Sequence, residues 1–331
     1  MTQALDLLAQ LPKAKVLCLG DLMLDRYIYG TADRLSPEAP VPVVAVKGRK
    51  IMPGGLGNVA KNLAALNVSV LSVCLIGGDR RGADLQKLLS EALSPEEPVF
   101  IIDPSRPTTV KTRLIAGIQQ VVRFDEELTH NLAGETADRY RAAVTRALPL
   151  VGAAALSDYG KGVLSPDMTA WIISEAEKFN VPVVIDPKGR DYGPYRGAEL
   201  VTPNRQELAQ AVGRPVAQSS PEALAEAGLR LMAESGLKNL LITRSEDGMT
   251  LLTRDGRVKH LPTRARAVFD VSGAGDTVMG VMTAALAVKA PLALGAELAT
   301  LAAGVVVGKV GTAVATPEEI ISRQTLVSQP A

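Results

Sequence analysis

The sequence predicts an α/β fold in which a doubly wound, mostly parallel sheet is flanked by helices and carries a small β-sheet lid. Two observations predict the main sheet. Short apolar runs alternate with amphipathic segments, and each run is apolar nearly throughout, as a strand covered on both faces must be. A third observation, two stretches of alternating residues with no helix between them, predicts the lid.

In chain order, the predicted strands are KVLCLG, VSVLSVCLIG, AALSD, VPVVID, ELVTPN and LKNLLITR. The helical patterns are GNVAKNLAALN, RGADLQKLLSEAL, ETADRYRAAVTRAL, PDMTAWIISEAEKF, SPEALAEAGLRLMAESG and DTVMGVMTAALAVKA. The lid segments run from about residue 27 to 51 and from about 108 to 125, although two ordinary surface hairpins would give the same alternation. One domain over residues 1–331 accounts for this length.

Composition excludes several classes of partner. Lys and Arg total 36 against 35 for Asp and Glu, so the net charge of +1 predicts no general attraction to nucleic acid or to an anionic membrane. The amino-terminal MTQALDLLAQLPKAK lacks the order of a signal peptide, and no apolar run approaches membrane-spanning length. Cys18 and Cys74 lie in apolar runs and are expected to be buried free thiols. We expect a cytoplasmic protein.

Polar residues follow the predicted strands where the strands end. Ligands of an open parallel sheet bind beyond the carboxyl ends of its strands, so these residues are expected to face one crevice. They are Asp21, Asp25, Asp158, Asp186, Asn204 and Glu207.

The stretch FDVSGAGDTVMG places small residues and an aspartate where a helix is predicted to begin. Gly273, Ala274 and Gly275 allow a ligand to approach the backbone, and the unpaired N–H groups of a helix start attract phosphate. Asp276 repels phosphate but can accept the proton of a hydroxyl that attacks it, as phosphoryl transfer requires. The alternative is that Asp276 only caps the helix.

A second glycine-rich stretch, PGGLGNVAKNLAAL, also precedes a helical pattern. Its G-x-G-x-x-A spacing, with Asp79 after the next strand, is similar to a dinucleotide-binding fingerprint. The segment before the glycines, KGRKIMP, is charged, whereas a dinucleotide-binding fingerprint follows a buried strand. This argues against a nicotinamide enzyme. Gly54 and Gly55 would instead admit a polar substrate to which Asn58 hydrogen-bonds.

Metal and nucleophile patterns are sparse. His130 and His260 lie far apart in polar surroundings, so neither a zinc cluster nor a serine triad is indicated. Mg²⁺ held through water by carboxylates is compatible with the sequence.

Over nearly its whole length the chain resembles the ribokinase-like (PfkB) family of sugar kinases. PGGLGNVAKN and D-x-x-G-A-G-D, here residues 270 to 276, match its two signatures. Within the family the resemblance is greatest to kinases of D-glycero-β-D-manno-heptose 7-phosphate, in RLSPEAPVPVV, LSDYGKGVLS, VVIDPKG, YRGAELVTPNRQE, LLITRSEDGMTLL and AAGVVVGKVGT. Many such relatives carry a nucleotidyltransferase after the kinase. Here we expect another protein to perform adenylyl transfer.

The resemblance implies roles for individual residues. Asp276 would be the catalytic base. The amides of Gly273, Ala274 and Gly275 would form the anion hole for the phosphoryl group. Asn204 and Glu207 match N-x-x-E, which positions Mg²⁺ through water. The sugar would be held by Asp25, Gly54, Gly55 and Asn58, although one residue fewer separates the glycines from Asn58 than in ribokinase-type members.

The resemblance also implies an ATP site and a possible monovalent-cation site. The adenine pocket would come from TRSEDG, including Thr243, Ser245 and Gly248, and from a late helix around Ala303 to Gly308. Asp270 and the neighbouring backbone would favour the monovalent cation.

A substrate that already carries a phosphate needs cations to hold it. Lys111 and Arg113 share a face of the lid by their spacing of two, and Arg123 follows on the next lid strand. Lys161 and Lys188 follow strand ends, where either could reach a phosphate. We place Lys161 with the substrate contacts, together with Asp158, and Lys188 with the nucleotide contacts. The alternative for every one of these cations is an ordinary solvated surface charge.

The resulting expectation is an ATP- and Mg²⁺-dependent kinase of heptose 7-phosphate acting at the anomeric hydroxyl. A kinase of another sugar, such as fructose 6-phosphate, and a sugar or nucleotide sensor without turnover are the alternatives. Apolar lid residues, including Ile28, Val41, Val43 and Val44, predict a homodimer formed through the lid.

Overall fold

Two sheets organise the molecule in the computed structural model, which describes residues 3–213, 216, 220–263, 269–309 and 311–327. Their strands are β1 Lys15–Gly20, β2 Leu22–Leu35, β3 Pro42–Gly55, β4 Ser69–Gly77, β5 Val99–Asp103, β6 Val110–Ala116, β7 Gln119–Glu126, β8 Ala153–Ser157, β9 Val183–Asp186, β10 Leu200–Val201, β11 Leu240–Thr243, β12 Met249–Leu252 and β13 Val258–Leu261. The larger sheet has nine strands in the order β13-β12-β11-β10-β9-β8-β1-β4-β5. Its strands from β11 to β5 are parallel, and β12 and β13 add an antiparallel edge.

Helices cover both faces of the large sheet. They are α1 Gln3–Leu8, α2 Leu56–Ala65, α3 Arg80–Leu93, α4 Gly134–Ala147, α5 Pro166–Lys178, α6 Arg205–Ala211, α7 Pro221–Ser235, α8 Ala274–Ala287, α9 Leu292–Val306 and α10 Pro317–Val327. Strand β1 shows the two-sided burial, because Val16 and Cys18 pack with α2 and α8 while Leu17 and Leu19 pack with α4 and α5. The predicted doubly wound α/β fold is therefore confirmed.

The smaller sheet has the strand order β3-β2-β6-β7. Strand β2 pairs antiparallel with β3 and parallel with β6, and β6 pairs antiparallel with β7. The two lid segments thus form one sheet rather than two separate hairpins. Its strands and connecting turns leave large apolar side chains exposed: Leu35, Val41, Val46, Ile118, Val122 and Phe124.

The small sheet extends further toward the main domain than the predicted segment from 27 to 51. Strand β2 already begins at Leu22, and β3 continues to Gly55. Asp25 therefore lies on the small sheet, and not beyond the carboxyl end of β1 as the sequence predicted. The alternation is hidden there because Leu22, Met23 and Leu24 are all buried.

Other differences are confined to short elements. Strands β5, β12 and β13 were not predicted, since VFIID, MTLL and VKHL are short. Helix α9 ends at Val306, so Gly308 lies in the turn after the predicted late helix. Asp79 caps α3 by accepting a hydrogen bond from Gly82 N, which is a structural role.

Cys18 and Cys74 are free and buried, as predicted. Burial raises the pKa of the Cys74 thiol to about 12, so it stays protonated and unreactive. Among the helices that the structure describes, none has the length and apolar character needed to cross a membrane.

Candidate active site

Asp276 lies in the first turn of α8 and is buried. Its Oδ2 accepts a hydrogen bond from Asn58 Nδ2 at 2.7 Å, and its Oδ1 accepts one from Tyr159 OH at 3.1 Å. Gly273 precedes the helix in the left-handed region, with φ of 80°, so the chain turns sharply into α8. The carboxylate is held from two sides beside an exposed turn.

The pKa of the Asp276 carboxyl group suits a residue that accepts a proton. Burial raises the pKa of its carboxyl group to about 6, and the hydrogen bonds from Asn58 and Tyr159 oppose that rise. The charge of Asp25 raises the pKa further and that of Lys111 lowers it. A carboxylate with this pKa is ionised near neutral pH yet can take up a proton.

The backbone before Asp276 offers hydrogen-bond donors. Ala274 N donates to Val271 O at 3.2 Å. The amides of Gly273 and Gly275 donate to no group in the described part of the chain. Because donors at a helix start attract anions, the turn provides a place for a phosphoryl group.

Asp270 braces that turn. Its Oδ1 accepts from Ser272 N and its Oδ2 from Gly311 N, each at 2.9 Å. Burial disfavours the charge, but these hydrogen bonds lower the pKa of Asp270 below its usual value. Both oxygens hold backbone, so Asp270 fixes the loop from which a monovalent cation would draw carbonyl ligands.

A chain of buried polar groups fixes Asn58. Asn62 Nδ2 donates to Asn58 O at 2.9 Å, and the Thr277 hydroxyl donates to Asn62 Oδ1 at 2.8 Å. A Cβ on Gly273 would lie 2.5 Å from Asn58 Nδ2. The amide of Asn58 is thus directed at Asp276, and its predicted contact with the sugar stays a prediction.

The small sheet contributes Asp25 and two cations. Arg113 Nη1 donates to Asp25 Oδ1 at 2.6 Å, and the guanidinium lies 5.2 Å from the centre of the Tyr27 ring. Lys111 Nζ lies 4.9 Å from the centre of the Tyr159 ring. A Cβ on Gly54 would lie 2.1 Å from Asp25 Oδ2, so glycine is required there.

Arg123 lies opposite Arg113 in the strand pairing, exposed and bonded to Asp125 at 3.1 Å. Gly55 ends β3 with φ of 57°, and a Cβ there would lie 2.4 Å from Asp21 O. Gly55 therefore lets β3 pass close to the end of β1.

Asp21 organises the DYGKG loop instead of facing the crevice. It is buried, and its carboxylate accepts from the backbone N–H groups of Tyr159 at 2.8 Å, Lys161 at 3.0 Å and Val163 at 3.3 Å. The Lys161 ammonium donates to Glu127 at 2.6 Å. Asp21 thus fixes the position of Tyr159.

Asp158 has different hydrogen-bond partners from Asp276. It accepts from Gly160 N at 2.8 Å and from Tyr195 OH at 3.0 Å, and burial raises the pKa of its carboxyl group to about 6. It lines a neighbouring cavity of about 320 Å³ together with Lys188 and Arg190. Within the described residues no hydrogen bond joins Asp158 to Asp276 or Asn58, although the next residue, Tyr159, donates to Asp276.

Asn204 and Glu207 form a capping box at the start of α6. Asn204 Oδ1 accepts from Glu207 N, and Glu207 Oε2 accepts from Asn204 N, each at 2.9 Å. This reciprocal pairing explains the N-x-x-E spacing structurally. Glu207 Oε1 remains 3.9 Å from Lys188 Nζ.

The same region fits Mg²⁺ held through water. Burial, and then the charges of Asp276 and Glu207, raise the pKa of Asp186 well above its usual value. A divalent cation would relieve this repulsion, and hard oxygen donors suit Mg²⁺. No group of three or more His, Cys, Asp or Glu residues arranged for direct metal binding occurs in the described ranges.

The residues predicted for the nucleotide lie near this edge of the sheet. Thr243 ends β11 and bridges to Asn204, while Ser245 and Gly248 follow with φ of 53° and 88°. Gly308 comes after α9, where Phe269 N and Asp270 N donate to Val307 O. The end of α9 therefore borders the segment that leads into Asp276.

Tyr159, Asn62 and Thr277 belong to the site although the sequence analysis did not select them. Asn62 follows Asn58 by one helical turn, and that spacing is a recognisable signal. Tyr159 is part of DYGKG, where only the charged residues were considered. Its contact with Asp276 joins positions 117 residues apart, so local patterns do not reveal it.

Comparison with known proteins shows the family of the chain. The pfkB family carbohydrate kinase profile matches residues 13–319. The chain is 46% identical over 318 residues to the bifunctional protein HldE of Rhodospirillum rubrum, covering 96% of this chain and 63% of that relative. It is 44% identical over 324 residues to the bifunctional protein HldE of Paramagnetospirillum magneticum, covering 97% and 66%. The chain thus spans about two thirds or less of these relatives.

Solved structures share the fold. Phosphofructokinase-2 from Escherichia coli in complex with potassium has a TM-score of 0.76 at 19% identity, covering 96% of this chain and 99% of that one. Ribokinase from Arabidopsis thaliana complexed with ribose and ATP has a TM-score of 0.71 at 17% identity, with coverage of 96% and 99%. With the family profile spanning most of the chain, the protein belongs to the pfkB family of carbohydrate kinases and is a sugar kinase.

Proposed function

We propose that the enzyme transfers the γ-phosphoryl group of ATP to the C1 hydroxyl of D-glycero-β-D-manno-heptose 7-phosphate. The product would be the 1,7-bisphosphate, used for ADP-heptose and lipopolysaccharide core synthesis. The observation that carries the proposed chemistry is Asp276, a buried carboxylate with a pKa of about 6 beside free amides at a helix start. The choice of sugar rests on the stretches that resemble heptose 7-phosphate kinases.

The residues divide the chemical work between them. Asp276 takes the proton of the attacking hydroxyl, and the amides of Gly273 and Gly275 receive the transferred phosphoryl group. Asp25 orients the sugar hydroxyls from β2. Mg²⁺, held through water by Asn204 and Glu207, would neutralise charge on the ATP phosphates. Most of the rate acceleration comes from positioning and charge stabilisation.

The remaining predicted contacts divide into a nucleotide side and a sugar side of the site. On the nucleotide side we place Thr243, Ser245, Gly248, Gly308 and Lys188, with a monovalent cation bound near Asp270. On the sugar side, Lys111, Arg113, Arg123 and Lys161 are the cations available for the 7-phosphate. We further propose one kinase domain over residues 1–331 in a reducing cytoplasm, which the two buried thiols suit.

The test is ADP formation from ATP and Mg²⁺ with heptose 7-phosphate, fructose 6-phosphate or ribose. Turnover confined to the heptose phosphate would support the proposal. Turnover on another sugar would keep the chemistry and overturn the substrate. ATP binding without turnover on any of them would favour a sensor.

Arg113 is expected to contribute most to binding the sugar phosphate. Replacing Arg113 with methionine removes the charged group that is proposed to hydrogen-bond the sugar phosphate. It also leaves the buried carboxylate of Asp25 without its ion-pair partner. We expect the KM for the sugar phosphate to rise about 10- to 100-fold, the equivalent of one such bond, with little change in the KM for ATP.

Steady-state kinetics with each substrate varied in turn would measure the effect of Arg113→Met. Arg257→Met is the matched control, because it breaks an exposed Arg–Asp pair at a distant turn. A smaller effect than that of Arg123→Met would contradict the assignment of Arg113.

The small sheet is proposed to pair with a second copy of the chain. Leu35 and Ile118 are among its most exposed apolar side chains, at 67% and 104% relative exposure. Exposed apolar residues concentrated on one sheet indicate an association surface. Light scattering at micromolar concentration is expected to give the mass of two chains, and a monomer alone would overturn the proposal.

A further inference from the structure

The proposed chemistry leaves one contact of the base unexplained. Tyr159 OH donates to Asp276 Oδ1, and the Tyr159 ring lies against a cation, the Lys111 ammonium. Lys111 belongs to β6 of the small sheet, while Asp276 belongs to α8 of the main domain. Tyr159 thus bridges the base and the small sheet.

Asp21 holds the backbone of Tyr159. The buried carboxylate of Asp21 accepts from Tyr159 N at 2.8 Å and from Lys161 N at 3.0 Å. Tyr159 itself is only partly buried. The hydrogen bonds to Asp21 therefore fix the loop that carries Tyr159.

The two donors leave room for a substrate hydroxyl. Each carboxylate oxygen has two lone pairs. Asn58 uses one on Oδ2 and Tyr159 uses one on Oδ1. A second acceptor site on each oxygen stays available, and the rotation of the carboxylate about its Cβ–Cγ bond is restrained.

We propose that Tyr159 is a positioning residue for phosphoryl transfer, whose hydroxyl keeps Asp276 oriented and ionised while its ring supports Lys111 of the small sheet. This rests on the proposed role of Asp276 as the base and deepens it. Tyr159 would then connect the placement of the small sheet to the readiness of the base.

The charged groups around Asp276 come from several elements. Asp25 on β2 and Asp186 at the end of β9 are acidic, and Lys111 on β6 is basic. The charge of Asp276 and then burial raise the pKa of Tyr159 well above its usual value. Tyr159 therefore remains a protonated donor wherever the enzyme is folded and active.

The sign of the expected pH effect follows from these groups. The Tyr159 hydroxyl stabilises the ionised form of Asp276, so removing it raises the pKa of the base above the wild-type value of about 6. Activity that needs the ionised form then falls at low pH and returns at high pH. At pH values well below its pKa, a base whose pKa is raised by about one pH unit is ionised about tenfold less often.

The deciding variant is Tyr159→Phe, which keeps the ring and removes only the hydroxyl. We expect kcat/KM to fall about fivefold near pH 6, approaching tenfold at lower pH, and by less than about threefold near pH 8, with the acid limb displaced upward. Tyr29→Phe is the matched control, because it removes a phenol hydroxyl from β2 of the small sheet, where the Tyr29 ring stacks on Tyr27 and not against Asp276. An unchanged acid limb in Tyr159→Phe would overturn the proposal.

A second measurement needs no substrate. The carboxyl carbon of Asp276, assigned by its loss in Asp276→Asn, can be titrated by NMR in the resting protein. We expect its pKa to rise in Tyr159→Phe and not in Tyr29→Phe, and equal pKa values in the wild type and both variants would overturn the link. If the wild type turned over no sugar, the proposed function would fail while this titration still decided whether Tyr159 controls Asp276.

The ring has its own test. Tyr159→Leu removes the surface that supports Lys111, whereas Tyr159→Phe retains it. We expect the KM for the sugar phosphate to rise in the leucine variant beyond that in the phenylalanine variant. Equal KM values in the two variants would overturn the part of the proposal that concerns the small sheet.

Discussion

Replacing Asp276 with asparagine is expected to lower kcat by about 10²- to 10⁴-fold, the usual contribution of a positioned general base. Asparagine keeps the size of the side chain and can still accept from Asn58, but it cannot take up the proton of the attacking hydroxyl. The KM values for ATP and for the sugar phosphate should stay within a few-fold, because the base acts in the transition state.

Initial rates of ADP formation would measure this effect. Asp167→Asn is the matched control, since Asp167 lies in the first turn of α5, is exposed and contacts no part of the site. If Asp276→Asn retained a rate within a few-fold of the wild type, Asp276 would be only a helix cap and its assignment as the base would be wrong.

The position of Asp276 could be predicted because its signals are local. D-x-x-G-A-G-D combines a turn of small residues, a helix start and a carboxylate within seven positions, and the structure reproduces all three. The parallel sheet could also be predicted, since a strand covered on both faces shows a continuous apolar run. Patterns of this kind depend on neighbours in sequence.

The contacts that tune the base could not be predicted. Asn58 reaches Asp276 across 218 positions, and its orientation depends on Asn62 and Thr277. The sequence therefore suggested Asn58 for the sugar, while the structure directs its amide to the carboxylate. Side-chain orientation is set by packing between α2 and α8, which no single segment encodes.

Strand-end aspartates illustrate the same limit. Asp21 and Asp158 have the sequence context of ligands, yet their oxygens accept hydrogen bonds from the backbone and from Tyr195. An aspartate after a strand can bind a substrate or hold the loop that does, and only the geometry separates the two roles. Here Asp21 holds the loop that carries Tyr159.

The second large effect is expected at Gly273. Its φ of 80° costs an alanine about 1–2 kcal/mol, and the new Cβ would lie 2.5 Å from Asn58 Nδ2. Asn58 must then move away from Asp276, and a methyl group enters the place where the amides would receive phosphate. We expect Gly273→Ala to lower kcat by about 10²- to 10³-fold, comparable to the loss of one anion-hole donor.

Gly256→Ala separates backbone strain from the loss of function. Gly256 has a φ of 81° with no atom within 4 Å of an added Cβ, so its alanine variant carries the same strain without the clash. The melting temperature of Gly256→Ala should fall by the strain alone and that of Gly273→Ala by more, because the added Cβ also displaces Asn58, while only Gly273→Ala loses its rate. Equal rates in the two variants would mean that the turn before α8 tolerates a side chain, and phosphate could not then bind against its backbone.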